Sequence, residues 1–235
     1  MRTLLLAAGM GARLRPVTNV IPKCLVPIKG RPLLGIWLDR LTEAGFGPFL
    51  INTHYLAEQV TAFIETNLHR DQVSLVHEAE LLGTAGTLVA NLDFFQNRDG
   101  LLVHADNYCL ADFRNYLRTH ENRPRECVMT MMTFLTDDPS SCGIVELDER
   151  GVVIGIHEKV ATPPGNIANG AVYILSAELL TEFSGTFHSV RDFSTEVLHR
   201  LVGKIYTYQT TETFLDVGTP EAYRRVNEHT AERSP

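Results

Sequence analysis

Thr3-Leu4-Leu5-Leu6-Ala7-Ala8-Gly9-Met10-Gly11-Ala12-Arg13-Leu14-Arg15-Pro16 opens the chain with a short apolar run that breaks at once into small residues and arginines. The run Thr3–Ala7 reads as a buried strand, and the residues after it as a Gly-rich loop. Backbone N–H groups in such a loop can approach a ligand closely, because few side chains intervene. Arg13 and Arg15 add fixed positive charge suited to phosphate oxygens. The loop is not a Walker A motif, which needs GxxxxGK[ST]. Nor is it the dinucleotide fingerprint, because Leu14 stands where the third glycine belongs. From the residues alone two readings stand, a phosphate cradle or a tight turn carrying two solvated arginines.

Downstream, strands alternate with helices. Leu34, Trp37, Leu38 and Leu41 lie at helical spacing, with Gly45 as a stop. Phe49–Asn52 is a second strand, and Val60, Phe63 and Ile64 mark a second helix. Val73–His77 and Leu101–Ala105 are further strands, with a short helix from about Thr84 and a longer one from about Asp112. This alternation predicts an α/β fold with a mixed, mainly parallel Rossmann-like sheet flanked by helices. Ligands of such sheets collect at the carboxyl ends of the strands, where strand order reverses.

The second half reads differently. Val128–Phe134, Ile144–Leu147, Val152–His157 and Ala171–Leu175 are β-rich runs divided by turn signals at 138–141 and 162–165. They predict a small antiparallel β extension packed on the first sheet within a single domain over 1–235. Helices resume near Ser176 and Ser194, Pro220–His229 closes the chain, and the last few residues are expected to be disordered.

Bulk properties narrow the function. Hydrophobic residues make up 44% and charged residues 21% of 235, ordinary for a globular protein. A net charge of -7 argues against non-specific duplex nucleic-acid binding, which depends on basic residues at phosphates. The N-terminal apolar run is too short for a signal peptide, and no run reaches the ~20 apolar residues needed to span a bilayer. Cys24, Cys109, Cys127 and Cys142 form no CxxC pair and read as free thiols of a cytoplasmic protein. Lys23 lies between Pro22 and Pro27, so it occupies a constrained loop, in a chain whose lysines are only Lys23, Lys29, Lys159 and Lys204.

Together, Leu6–Thr18 and Pro22–Leu34 resemble the two-part signature of the sugar-phosphate nucleotidylyltransferases, LAAGxGxRLxPxT followed by PKxLxPIxGxPLL. Ala12 departs from the family's Thr or Ser. Mannose-1-phosphate and heptose-1-phosphate guanylyltransferases are the nearest resemblance. It implies the nucleotide-diphospho-sugar transferase fold, with a nucleotide-binding half over 1–125 and a sugar-phosphate half over 126–235. It also implies Mg²⁺, and a nucleoside triphosphate and a sugar-1-phosphate as partners. Neither nucleic acid nor membrane is expected, and monomer and homodimer both stay open. The long C-terminal extension of many relatives is not expected.

The resemblance assigns residues as well. Leu6, Ala7, Ala8, Gly9 and Gly11 would cradle the triphosphate, with Arg13 and Lys23 as catalytic cations. Glu78-Ala79-Glu80-Leu81-Leu82-Gly83-Thr84-Ala85-Gly86 resembles the family's base-binding E-x-E-P-L-G-T-A-G, giving Glu80, Gly83 and Thr84 to the nucleotide. Asp106 matches a family Gly-Asp-Asn strand end, with Ala105 for the glycine, and Asp216 matches D-[IV]-G-T-P-E. These two carboxylates would hold the metal, with phosphates and water completing its shell. Gly143, Glu158, Lys159 and Asn169 match weaker sugar-phosphate motifs, with Cys142 replacing an aromatic residue and Val160 a proline. Read without the family, Glu158-Lys159 is an exposed charge pair, Gly83–Gly86 is a turn entering a helix, and His104 is a satisfied core histidine.

Uridylyl or thymidylyl transfer to a hexose-1-phosphate, or cytidylyl transfer to a non-sugar phosphate, would use the same fold. A non-catalytic nucleotide-sugar sensor would not need two metal-binding carboxylates. A dehydrogenase is disfavoured by the missing third glycine.

Overall fold

The computed structural model describes residues 1–228. In chain order the elements are β1 (Arg2–Leu6), β2 (Pro27–Ile28), β3 (Arg31–Pro32), α1 (Leu33–Glu43), β4 (Phe49–Thr53), α2 (Ala57–Glu65), β5 (Val73–His77), α3 (Thr84–Ala90), β6 (Gly100–His104), β7 (Asn107–Cys109) and α4 (Phe113–Glu121). Then follow β8 (Met129–Leu135), β9 (Gly143–Leu147), β10 (Val153–Glu158), β11 (Ile167–Leu175), α5 (Ala177–Glu182), β12 (Ile205–Gln209), β13 (Phe214–Asp216) and α6 (Pro220–Glu228). The expected end of the last helix at His229 and the expected disorder beyond it lie outside the described residues.

One mixed sheet of nine strands holds both halves of the chain, along the path β10-β9-β11-β6-β1-β4-β5, with β8 also paired to β11 and β12 paired to β8. β1 pairs in parallel with β4 on one side and β6 on the other. The chain therefore leaves β1 in one direction and crosses back past it, so strand order reverses at β1. Antiparallel pairing begins at β11 against β6 and continues through β8, β9 and β10. β12, which the sequence analysis does not single out, pairs in parallel with β8.

Alternation along the strands divides the interior. Leu5, Leu101, Val103, Val172 and Ile174 pack on one face with Leu34, Trp37 and Leu41 of α1. Leu4, Leu102, Tyr173 and Leu175 pack on the other with Phe183, Phe193 and Leu198. Both faces are covered, which is why the central strands read as continuous apolar runs.

Three boundaries differ from the sequence reading for identifiable reasons. β1 ends at Leu6, because the Ala7 N–H turns to the Asn52 side chain. β11 begins four residues early, at Ile167, across a bulge between Asn169 and Tyr173 in which Ala171 has φ 53°; a bulge breaks the two-residue period used to find strands. Phe193–Val197 is a π turn followed by a 3₁₀ turn at Leu198–Leu201. There the Glu196 carboxylate accepts from the N–H groups of both Arg191 and Asp192, and Asp192 caps Thr195.

Candidate active site

A cleft of about 360 Å³ opens at the carboxyl ends of β1, β4 and β6, the place the strand order marks for a ligand. Its lining includes Leu6, Ala7, Ala8, Gly9, Gly11, Arg13, Lys23, Gly83, Thr84 and Asp106, ten of the residues singled out from sequence.

The loop after β1 is fixed from beneath. Gly11 has φ 61°, and a Cβ there would come within 2.8 Å of Thr18 Cγ2 and 3.1 Å of Lys23 Cβ. Glycine is required on both counts. Thr18 Oγ1 and Leu14 N donate to the Gly11 carbonyl at 2.7 and 2.9 Å, and Leu14 is fully buried. Ala7 N donates to Asn52 Oδ1 at 2.7 Å. The N–H groups of Ala8, Gly9 and Met10 make no hydrogen bond among the described residues. An anchored loop with unspent donors is suited to an anion.

Opposite charges meet beside this loop. The Lys23 side chain is only 8% exposed, and its Nζ lies 2.8 Å from Asp106 Oδ2 and 3.6 Å from Asp216 Oδ1. Asp106 lies two residues beyond the end of β6. Asp216 arrives because β13 pairs with β7, placing it opposite Asn107. Burial raises the Asp106 carboxyl pKa, but the Lys23 ammonium together with His104 and hydrogen bonding holds the carboxyl below its ordinary value. Arg13, 68% exposed on its side chain, reaches to 4.0 Å from Asp216. A Cβ on Gly218 would sit 2.8 Å from Asp216 Oδ1 and 3.0 Å from Arg13 Nη2, so this glycine makes room for both. Burial pushes the neighbouring Cys24 thiol up to about 12, which keeps it protonated and unsuited to nucleophilic chemistry.

On the β4 side of the cleft, the interior carboxylate is Glu78, where the resemblance assigns Glu80. Glu80 is exposed and outside the lining. Glu78 is buried and accepts from Asn52 Nδ2 at 2.9 Å, Leu82 N at 3.1 Å and Thr87 Oγ1. Gly83 has φ 85°, and a Cβ there would overlap the Arg191 carbonyl. Thr84 Oγ1 accepts from Phe193 N at 2.7 Å, so this segment is clamped to the second half of the chain.

The residues read as sugar-binding stand outside that lining and form their own cluster. A Cβ on Gly143 would lie 2.6 Å from Glu158 Oε2 and 3.9 Å from Asn169 Cβ. Asn169 donates to the Tyr173 hydroxyl at 2.8 Å, while its Oδ1 accepts from Ala171 N at 2.9 Å. Lys159 has φ 49° and is exposed, with Nζ 3.5 Å from Glu158. The cluster reaches the cleft through Tyr173, whose ring stands edge-on to His104 at 6.3 Å. His104 departs from expectation. It lines the cleft, and its buried Nε2 has no hydrogen-bond partner. Burial pushes its imidazole below the ordinary histidine value, against the pull of Asp106 and Asp192.

Asn52, Glu78, Thr87, His104 and Gly218 are among the lining residues not assigned to the site from the sequence. A signal exists for one of them. Asn52 is a polar residue at the carboxyl end of a fully buried parallel strand, where ligands gather.

Comparison with known proteins agrees with this geometry. A Sulfolobus acidocaldarius protein named as a mannose-1-phosphate guanyltransferase is 31% identical over 227 residues, covering 95% of this chain and 61% of that protein. A Campylobacter jejuni D-glycero-α-D-manno-heptose 1-phosphate guanylyltransferase is 26% identical over 224 residues, covering 95% of this chain and 97% of its own. The chain thus spans about three fifths of the first relative's length and nearly all of the second's. The crystal structure of HddC from Yersinia pseudotuberculosis complexed with GMP-PN superposes with a TM-score of 0.81 at 25% identity, covering 97% of this chain and 99% of that one. The model of the family described as nucleotidyl transferase matches residues 2–233. With the fold, the anchored glycine loop and the match along nearly the whole sequence in agreement, the chain belongs to the nucleotidyl transferase family.

Proposed function

We propose that the protein transfers a nucleoside monophosphate, from GTP in preference to other triphosphates, to a mannose- or heptose-type sugar-1-phosphate, giving a nucleotide sugar and pyrophosphate. The observation that carries this reading is Lys23, whose one ammonium group contacts both Asp106 and Asp216 beside a loop with unspent N–H donors. Carboxylates gathered around a buried cation occupy a place where positive charge is stable. Their hard oxygen donors fit Mg²⁺, which takes phosphates and water as its remaining ligands. When bound there by Asp106 and Asp216, Mg²⁺ supplies charge neutralisation at the phosphates.

The protein's own groups do the rest by position and charge. The N–H groups of Ala8, Gly9 and Met10 receive phosphate oxygens. Arg13 meets the charge developing on the departing pyrophosphate. Lys23 turns from its carboxylates toward the α-phosphate. The attacking group is an oxygen of the sugar phosphate, already nucleophilic at neutral pH, so no general base is assigned. Lys159 holds that phosphate, while Glu158 and Asn169 take sugar hydroxyls in the second half of the chain. On the base side, Glu78 takes the part that the resemblance assigns to Glu80, since Glu78 lines the cleft and Glu80 does not. Four free thiols among the described residues support a reducing cytoplasm as the setting.

Purified protein incubated with each triphosphate, Mg²⁺ and a panel of sugar-1-phosphates tests the proposal through pyrophosphate release. Release should be fastest with GTP and a mannose-type sugar. Faster release with dTTP or UTP and a hexose-1-phosphate would replace the guanylyl reading. Nucleotide-sugar binding with no release from any pair would leave a sensor.

A further inference from the structure

Three buried side-chain polar atoms lack a hydrogen-bond partner among the described residues, namely Arg40 Nε, Thr42 Oγ1 and His104 Nε2. Arg40 still donates to the Leu110 and Ala111 carbonyls at 2.7 and 2.8 Å, and neither it nor Thr42 lines the cleft. His104 does line the cleft. An imidazole carries hydrogen-bonding capacity on both ring nitrogens, and buried groups of this kind nearly always have partners. In a well-packed interior, an unpaired one at the wall of a cleft marks a place where a ligand supplies the partner.

The position of His104 indicates which part of the ligand that is. β6, which ends at His104, lies between β1, which carries the glycine loop, and β11, which carries Asn169. Its ring rests edge-on against Tyr173 at 6.3 Å, and the Tyr173 hydroxyl accepts from Asn169 at 2.8 Å. The polar groups on the opposite flank, Asn52, Glu78 and Thr87, are bonded to one another. His104 thus belongs to the flank of the phosphates away from the base. A half-turn of the ring exchanges its nitrogen and carbon edges without changing its outline, so packing does not prevent a nitrogen from facing the ligand.

Building on the nucleotidyl-transfer reading, we infer that His104 is a specificity-determining residue whose imidazole hydrogen-bonds a hydroxyl of the transferred sugar. Tyr173 fixes the plane of the ring, and Asn169 fixes Tyr173. Discrimination between sugars then depends on whether a hydroxyl meets the imidazole, since a buried polar group left unpaired is costly.

Calorimetric titration of the full chain with GDP and with GDP-mannose tests this. His104→Phe should weaken GDP-mannose about tenfold while shifting GDP by less than about twofold, the scale of one lost hydrogen bond. His104→Gln, which keeps a donor and an acceptor, should recover most of the loss. His104→Leu provides the same test on a smaller side chain should the phenylalanine variant fail to fold. Equal weakening of GDP and GDP-mannose would move the contact to the nucleotide and overturn the inference, as would no change in either. Wild-type protein that binds neither probe would overturn the guanylyl reading and this contact together. Wild-type binding with unchanged variants would overturn the His104 assignment alone.

Discussion

Arg13 and Gly11 stand two residues apart and fail in different ways when replaced. Arg13 is largely exposed and makes one long ion pair at 4.0 Å, so it contributes little to the fold. Arg13→Ala should lower kcat by roughly 10²–10³, the scale for losing one transition-state contact, with an unchanged unfolding midpoint. Steady-state kinetics beside thermal denaturation check both halves, and an unchanged kcat would remove Arg13 from catalysis. Gly11 is the reverse case. With φ 61° and Thr18 Cγ2 only 2.8 Å from where a Cβ would stand, Gly11→Ala should cost at least about 1–2 kcal/mol of stability. Denaturant titration measures this. The shift of Thr18 and Lys23 should lower turnover as well.

Between elements, the informative contact is His120 on α4. Its Nδ1 meets Thr130 Oγ1 of β8 at 2.8 Å, and its Nε2 meets Asp99 at 3.3 Å. Asp99 also accepts from Ala177 N at the start of α5, so one imidazole joins three elements. Burial pushes the His120 pKa below its ordinary value, against the pull of Asp99. The Asp99 carboxyl is lowered chiefly by its hydrogen bond to His120. A group whose pKa is depressed in the folded state stabilises fully above its unfolded value, and that contribution fades as pH falls toward the folded value. Stability should therefore decline as pH drops below about 6.5, and decline again below the ordinary aspartate range. Urea midpoints measured from pH 7.5 to 5 should show the first decline in wild type and a flatter profile in His120→Gln. The same slope in both proteins would exclude His120 as its source.

Across the whole molecule, the acidic pair is a product of the tertiary structure. Asp106 lies in the turn between β6 of the main sheet and β7, while Asp216 comes from a two-stranded ribbon built by β7 and β13, and both turn to the same Lys23 ammonium. Residues that act on one ion do not add. Asp106→Asn and Asp216→Asn should each abolish most turnover, and the double variant should be no worse than the poorer single one. Additive losses in that cycle would place the two carboxylates in separate roles.

The sequence alone determined the strand-loop-strand order, the glycine loop, the lysine between prolines and an acid at the end of β6. Each of these is written in local pattern, in which apolar periodicity selects the element and glycine or proline restricts the backbone. Tertiary structure decided the rest. Glu78 and Glu80 are equivalent in composition, and what separates them is that Asn52 and Thr87, on other elements, draw one inward. The bulge in β11, the parallel pairing of β12 and the unpaired His104 imidazole depend on partners distant along the chain. No local pattern records such partners, because hydrogen bonds between distant segments exist only once the sheet has brought them together.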